Sequence, residues 1–324
     1  MKNFSIEQTA HIVPENVVTN NDLTAFMDTS DEWISKRTGI KQRHISNQQT
    51  TSDLCLSVAE NLITNSQYNV EDIDLIIVAT MSPDYMTPNV ASMVQGKLGA
   101  TNAMAFDINT ACSGFVYGLK MAQSLFNDDK ISTAIVIGGE VLSKLVDFSD
   151  RSTAILFGDG AGGALITKNQ SHGQYLGDNF ETYGDMGRFL TAGHFNTQTP
   201  FNQMLDTTPL SFEMNGRKVY DFATTAIPES LNKALEDAGL GLEDIDHFIF
   251  HQANARIIKA VVKKLKLDPN KAPINIDKFG NTAAASEPIL LDEVIKNGAV
   301  AKGQTLALIG FGGGLEIGTV ILKY

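Results

Sequence analysis

The stretch "VEDIDLIIVAT" at residues 70–80 returns 172 positions later as "LEDIDHFIFHQ" at 242–252. The same offset carries "NTACS" (109–113) onto "NTAAA" (281–285), and "TAIVIG" (133–138) onto "TLALIG" (305–310). Three matches at one spacing mark an internal duplication, and that self-similarity decides the fold before any single element is assigned. The runs "IDLIIVA" and "TAIVIGG" are short, β-branched and nearly continuously apolar, the pattern of strands covered on both faces. Helical patterns occupy 113–126 and 283–297, the second with Pro288 near its start and Gly298 just past its end. The chain therefore reads as a duplicated α/β unit, with residues 1–167 forming one half and 168–324 the other.

Two glycine-rich or polar stretches need separate readings. Residues 168–215 are polar, rich in glycine and without a clear period, so a connecting loop that shapes an entrance is expected there. The run "GDGAGGALIT" (158–167) has the look of a nucleotide-binding loop, but it leads into a strand-like segment instead of a helix. It reads as backbone packing.

Composition narrows the function classes. With 43% hydrophobic and 19% charged residues, and no apolar stretch near the roughly 20 residues of a membrane span, membrane insertion is not indicated. The first twenty residues hold no apolar core of the kind a secretory signal needs, so the expected compartment is the cytoplasm. Two cysteines, Cys55 and Cys112, are too few for a disulfide framework or a cysteine-based zinc site. A net charge of −12 argues against broad nucleic-acid binding.

Within a duplication, residues that break the symmetry are the candidates for chemistry. Under the 172 offset Cys112 faces Ala284, His251 faces Ala79, and Asn281 faces Asn109. An isolated cysteine is commonly a small buried hydrophobe. Here Ala111, Ser113 and Gly114 leave room for close approach, and the following helix N-terminus is expected to lower the thiol pKa and offer backbone N–H groups to an anion. His251 and Asn281 sit at two further strand-to-helix junctions, where a capping or turn role is the plain alternative.

Together "NTACSGF", "HQANARI", "GNTAAAS", "FGGGLEIG" and "DTSDEWISKRTGIKQRHIS" (28–46) resemble the thiolase-fold condensing enzymes, and specifically the β-ketoacyl-acyl carrier protein synthase III family. The resemblance implies a five-layered α/β/α/β/α fold of two pseudo-twofold halves. It implies a Cys112, His251, Asn281 triad, with the backbone N–H groups of Cys112 and Gly313 as oxyanion hole. The implied reaction joins a short acyl-CoA primer to malonyl-acyl carrier protein without metal or redox cofactor, CoA thioester being a substrate, and the implied assembly is a homodimer. The absence of cysteine from "FGGGLEIG" disfavours a degradative thiolase.

By the same resemblance Thr29, Trp33, Arg37 and Arg151 hold the CoA nucleotide, while Thr87 and Phe311 line the acyl site. Thr87 stands where a bulky phenylalanine is common, at a pocket end contributed by the partner subunit, so primers larger than acetyl are expected. Arg256, Lys259 and Lys263 recur at i, i+3 and i+7, a basic stripe suited to docking an acidic carrier protein. Asp221 and Glu316 depart from the family pattern. A condensing enzyme of secondary metabolism and a non-catalytic carrier-binding paralogue are the alternatives; the complete triad disfavours the second.

Overall fold

The computed structural model describes residues 2–168, 173–195, 199–201 and 208–324. Up to residue 167 the chain runs through β1 (Lys2–Asn3), which departs from the expected division by joining the second half's sheet, then through β2 (Ser5–Ile12), β3 (Val17–Thr19), α1 (Asp31–Thr38), β4 (Gln42–His44) and α2 (Thr51–Thr64). It continues through β5 (Leu75–Ala79), α3 (Val90–Leu98), β6 (Met104–Ile108), α4 (Gly114–Leu125), β7 (Thr133–Glu140) and β8 (Gly160–Thr167). The second half holds β9 (Gln174–Thr182), β10 (Leu190–Thr191), β11 (Glu213–Met214), α5 (Gly216–Ala238) and β12 (His247–Phe250). After these come α6 (Ala255–Leu265), α7 (Ile276–Phe279), α8 (Ser286–Lys296), β13 (Thr305–Gly312) and β14 (Glu316–Lys323).

The duplicated runs form matching sheets, ordered β2-β8-β7-β5-β6 and β1-β9-β14-β13-β12. In each, the two β-branched runs pair in parallel, β5 with β7 and β12 with β13, and a long antiparallel strand follows. Helices α4 and α8 fill the space between the sheets, where Phe115, Leu119, Leu290 and Leu291 pack against Ile77, Val136, Leu308 and Val320. Helices α2 and α3 cover the outer face of one sheet, and α5 and α6 that of the other. The layers are α/β/α/β/α, which is why the central strands are apolar on both faces.

Each α4-type helix is entered through a 3-10 turn, Ala111–Ser113 in one half and Ala283–Ala285 in the other. Both turns begin on a left-handed alanine, with φ 45° at Ala111 and 43° at Ala283. An L-residue there costs of order 1 kcal/mol or more. The preceding asparagines offset it in part: Asn109 Oδ1 accepts from the Ala111 N–H at 3.2 Å, and Asn281 Oδ1 from the Ala283 N–H at 2.9 Å. The turns press on the opposite half's strands. A Cβ at Gly138 would lie 1.9 Å from the Ala284 carbonyl oxygen, and one at Gly310 would lie 2.8 Å from Ser113 Cα.

The expected loop at 168–215 is corrected in part. Gln174–Thr182 is a full strand, paired with β1 on one side and β14 on the other, and the sequence conceals it because "QYLGDNFET" has no clean apolar alternation. Residues 169–172, 196–198 and 202–207 of that stretch lie outside the described residues. The run 158–167 enters β8, and a Cβ at Gly162 would fall 2.8 Å from the Ile289 nitrogen, so its glycines admit neighbouring backbone.

Gly138→Ala is therefore expected to destabilise the protein by about 3 kcal/mol or more, since neither backbone can yield cheaply. Gly96→Ala, in α3 with nothing within 4 Å, is the matched control and is expected to be neutral or stabilising by about 0.5–1 kcal/mol. Chemical denaturation of the two variants checks both signs.

Candidate active site

Cys112, His251 and Asn281 arrive from three strand-to-helix junctions and line one cavity of about 1440 Å3. Cys112 sits on the turn before α4, His251 directly follows β12, and Asn281 precedes the turn before α8. All three are buried: 5% exposed, 1% and 6%. Burial sets the electrostatics at these three positions, because dipoles act more strongly and unpaired charges are expensive away from water.

Burial is the main cause that pushes the Cys112 thiol well up. The backbone N–H groups of Gly313 and of Cys112 itself pull the other way. The expectation of a lowered thiol pKa is thus corrected: desolvation outweighs the turn's N–H groups, and the free enzyme holds a neutral thiol. The same two N–H groups are those assigned to the oxyanion hole. Gly312 keeps the sulfur's flank open, since a Cβ there would meet Cys112 Cβ at 2.6 Å and Sγ at 2.9 Å.

His251 is held neutral by burial, its pKa pushed down to about 3. Its ring packs edge-on to Phe311 with centroids 5.0 Å apart, and its Nδ1 lies 2.5 Å from Ser286 Oγ. Asn281 has its carbonyl oxygen occupied by the Ala283 N–H, which leaves its amide hydrogens to donate. Two neutral donors therefore belong to the half opposite the thiol.

Further along the cavity stand Trp33, Arg37 and Arg151. Both guanidiniums lie over the indole, 5.2 Å and 4.9 Å from its centroid, and Arg151 also donates to the Asp28 carbonyl at 3.0 Å. This is a flat cationic face suited to a purine and its phosphates. Thr29 and Thr87 are not among the lining residues; Thr87 is exposed, just before a cis bond to Pro88. Arg256, Lys259 and Lys263 are exposed along α6, whose inner face buries Ile257, Ile258, Val261 and Val262. Arg256 also lines the cavity, whereas the two lysines do not.

Ser286 and Glu287 were not picked out by motif reading, although the symmetry rule points at them: under the 172 offset they replace Gly114 and Phe115. A carboxyl where the other half buries a phenyl ring is a break of the kind that singled out Cys112. A stacked pair, Phe157 on Phe212 at 4.0 Å and 16°, walls the cavity and likewise has no sequence signal.

A duplicated five-layered fold with one thiol on a central turn, facing donors from the other half, is that of a condensing acyltransferase. Family models for 3-oxoacyl-[acyl-carrier-protein] synthase III match residues 106–184, and for the C-terminal part of that enzyme residues 235–324. The chain is 52% identical over 326 residues to β-ketoacyl-[acyl-carrier-protein] synthase III of Lactobacillus helveticus, covering 100% of this chain and 99% of the relative. The 3-oxoacyl-[acyl-carrier-protein] synthase III structure from Aquifex aeolicus superposes with a TM-score of 0.92 at 39% identity, covering 99% of this chain and 100% of that one. A priming β-ketosynthase from the R1128 polyketide pathway superposes at 0.91 with 28% identity, covering 99% and 96%. The chain belongs to the β-ketoacyl-acyl carrier protein synthase III family. No helix among the described residues is long and apolar enough to cross a membrane.

The depressed His251 pKa carries a pH prediction. The unfolded chain takes up the imidazole proton at the ordinary value of 6.5, whereas the folded protein resists until about 3, so stability falls as pH drops through this window. From pH 7 to pH 5 this group alone is expected to cost about 2 kcal/mol. Urea denaturation at both pH values measures it; an equal loss in His251→Gln would contradict the assignment.

Proposed function

We propose that Cys112 accepts the acyl group while His251 and Asn281 activate the extender. The observation that carries this reading is the convergence of three buried junction residues, drawn from both halves, on one cavity. The reaction is the family's: a short acyl-CoA primer and malonyl-acyl carrier protein give 3-oxoacyl-acyl carrier protein, CoA and CO2, initiating fatty acid biosynthesis.

In the first half-reaction the sulfur of Cys112 adds to the primer's thioester carbonyl, and the Cys112 and Gly313 N–H groups bind the oxyanion. The C–S bond to CoA breaks, the acyl group stays on Cys112, and the thiol's proton leaves on CoA. The thiolate is the attacking form, so the Cys112 proton leaves the sulfur as the new C–S bond forms and ends on the departing CoA sulfur, with no net charge left in the buried site. In the second half-reaction the malonyl carboxylate leaves as CO2 and the enolate oxygen receives hydrogen bonds from His251 and the Asn281 amide. Donors of this kind are each worth about 3–4 kcal/mol. The enolate carbon attacks the acyl carbonyl, the C–S bond to Cys112 breaks, and one proton from solvent restores the thiol. No step calls for a metal or redox cofactor.

Trp33, Arg37 and Arg151 hold the nucleotide of CoA, with Thr29 beside them, and Phe311 walls the acyl site against His251. The primer is acetyl or somewhat larger, since Thr87 is small and the neighbouring Met86 is flexible. A homodimer fits the first sheet's open edge: β6 is its terminal strand, and Met104, Tyr85 and Met86 near it are 46%, 60% and 70% exposed. In such a dimer Thr87 would reach the partner's site. The proposed compartment is the cytoplasm.

Intact-mass measurement after incubation with acetyl-, isobutyryl- and octanoyl-CoA tests the reading. Wild type is expected to gain one acyl group, with acetyl and isobutyryl accepted, and Cys112→Ser to gain none. Acylation absent from wild type, or equal in the variant, would remove Cys112 from its role.

Carrier docking is assigned to Arg256, Lys259 and Lys263, the exposed stripe beside the cavity mouth. Arg256→Glu is expected to raise KM for malonyl-acyl carrier protein about tenfold or more while sparing acylation by acyl-CoA. Equal loss in both half-reactions would reject the docking role.

A further inference from the structure

Donation by neutral His251 to an enolate requires its single ring hydrogen to sit on Nε2, because Nδ1 is turned to Ser286 Oγ at 2.5 Å. Ser286 Oγ has two other neighbours. The Gln252 N–H, which can only donate, lies 3.2 Å away, and Glu287 Oε2 lies 3.0 Å away. The serine hydroxyl hydrogen therefore has two destinations. Sent to Oε2, it obliges Nδ1 to carry the ring hydrogen and leaves Nε2 a bare acceptor. Sent to Nδ1, it leaves Nε2–H free for substrate.

Glu287 decides between them. Its side chain is 0% exposed and lies under Gly310, where a Cβ would come within 2.6 Å of Oε1. Oε1 has no hydrogen-bond partner among the described residues. The histidine at 4.0 Å is neutral and offers no countercharge. An ionised carboxyl here would be an unpaired buried charge. Burial accordingly holds Glu287 well above the ordinary carboxyl range. A neutral carboxyl has an O–H to give, and giving it to Ser286 completes that hydroxyl's bonding: two hydrogens accepted, one donated.

We propose that Glu287 and Ser286 are positioning residues that fix His251 as its Nε2–H tautomer, the Glu287 O–H donating to Ser286 Oγ and the Ser286 hydroxyl to Nδ1. The proposal rests on the reading of His251 as donor to the extender. A neutral Glu287 has a second effect, since it places no fixed negative charge beside the sulfur.

The test is the imidazole 15N spectrum of full-length, 15N-histidine-labelled protein without substrates, His251 being identified by signal loss in His251→Ala. Wild type is expected to show Nε2 protonated and Nδ1 bare. Glu287→Gln is expected to keep that form, its amide N–H donating where the acid did. Ser286→Ala is expected to give mixed tautomers and to lower kcat for malonyl consumption on the order of tenfold more than it lowers Cys112 acylation. Protonation at Nδ1 in wild type or in Glu287→Gln overturns the assignment even if Ser286→Ala does not fold, and so does an equal fall in both half-reactions. Because the spectrum needs no turnover, its failure is distinguishable from a failure of Cys112 to load.

Discussion

The contact between two tight turns and the strands of the opposite half is the constraint on which the site depends. Each turn starts on a left-handed alanine pinned by its own asparagine. Each is met by a strand whose glycine, Gly138 or Gly310, has no room for a Cβ. The local strain is repaid by the apolar layer of α4 and α8 between the sheets, which is continuous with both sheet faces. Because the turns are locked to opposite sheets, the residues they carry cannot drift apart. Cys112 and Asn281 inherit their meeting point from the packing of the halves.

Duplication also explains the division of labour. One scaffold used twice yields two equivalent turns, and the substitutions that distinguish them fit the proposed nucleophile in one and a support for the proposed donors in the other. Burial keeps both neutral at rest, opposing ionisation of the thiol and protonation of the imidazole. Charge appears at the carbonyl and enolate oxygens during reaction, where fixed N–H groups await it. The proposed roles of the surface differ from these, a cationic aromatic face for a nucleotide and a basic stripe for an acidic partner.

Much of this was legible in the chain. The 172-residue offset contained the pairing of sheets and helices, since continuous apolar runs and their repetition report burial on both faces directly. Cys112 and His251 were legible because a symmetric core has no need of a lone thiol or imidazole, whereas Asn281, matched by Asn109 in the other half, was legible only through its motif. What the sequence concealed was environmental. Strand β9 was hidden because Gly177 and the polar residues around it answer to packing under α5, where a Cβ at Gly177 would lie 2.6 Å from the Ala238 nitrogen. The direction of the Cys112 pKa shift was hidden because a helix N-terminus can be read from residues, whereas exclusion of water cannot. Ser286 and Glu287 look like helix-start residues until the fold brings them beneath His251.

The separation of roles between the halves is tested most directly by CO2 release from malonyl-acyl carrier protein when the thiol is gone. The account predicts that Cys112→Ala, unable to accept a primer, still decarboxylates the extender, and that adding His251→Ala or Asn281→Ala to it abolishes the release. Loss of decarboxylation in Cys112→Ala with the fold intact, or its persistence without His251 and Asn281, would contradict the account.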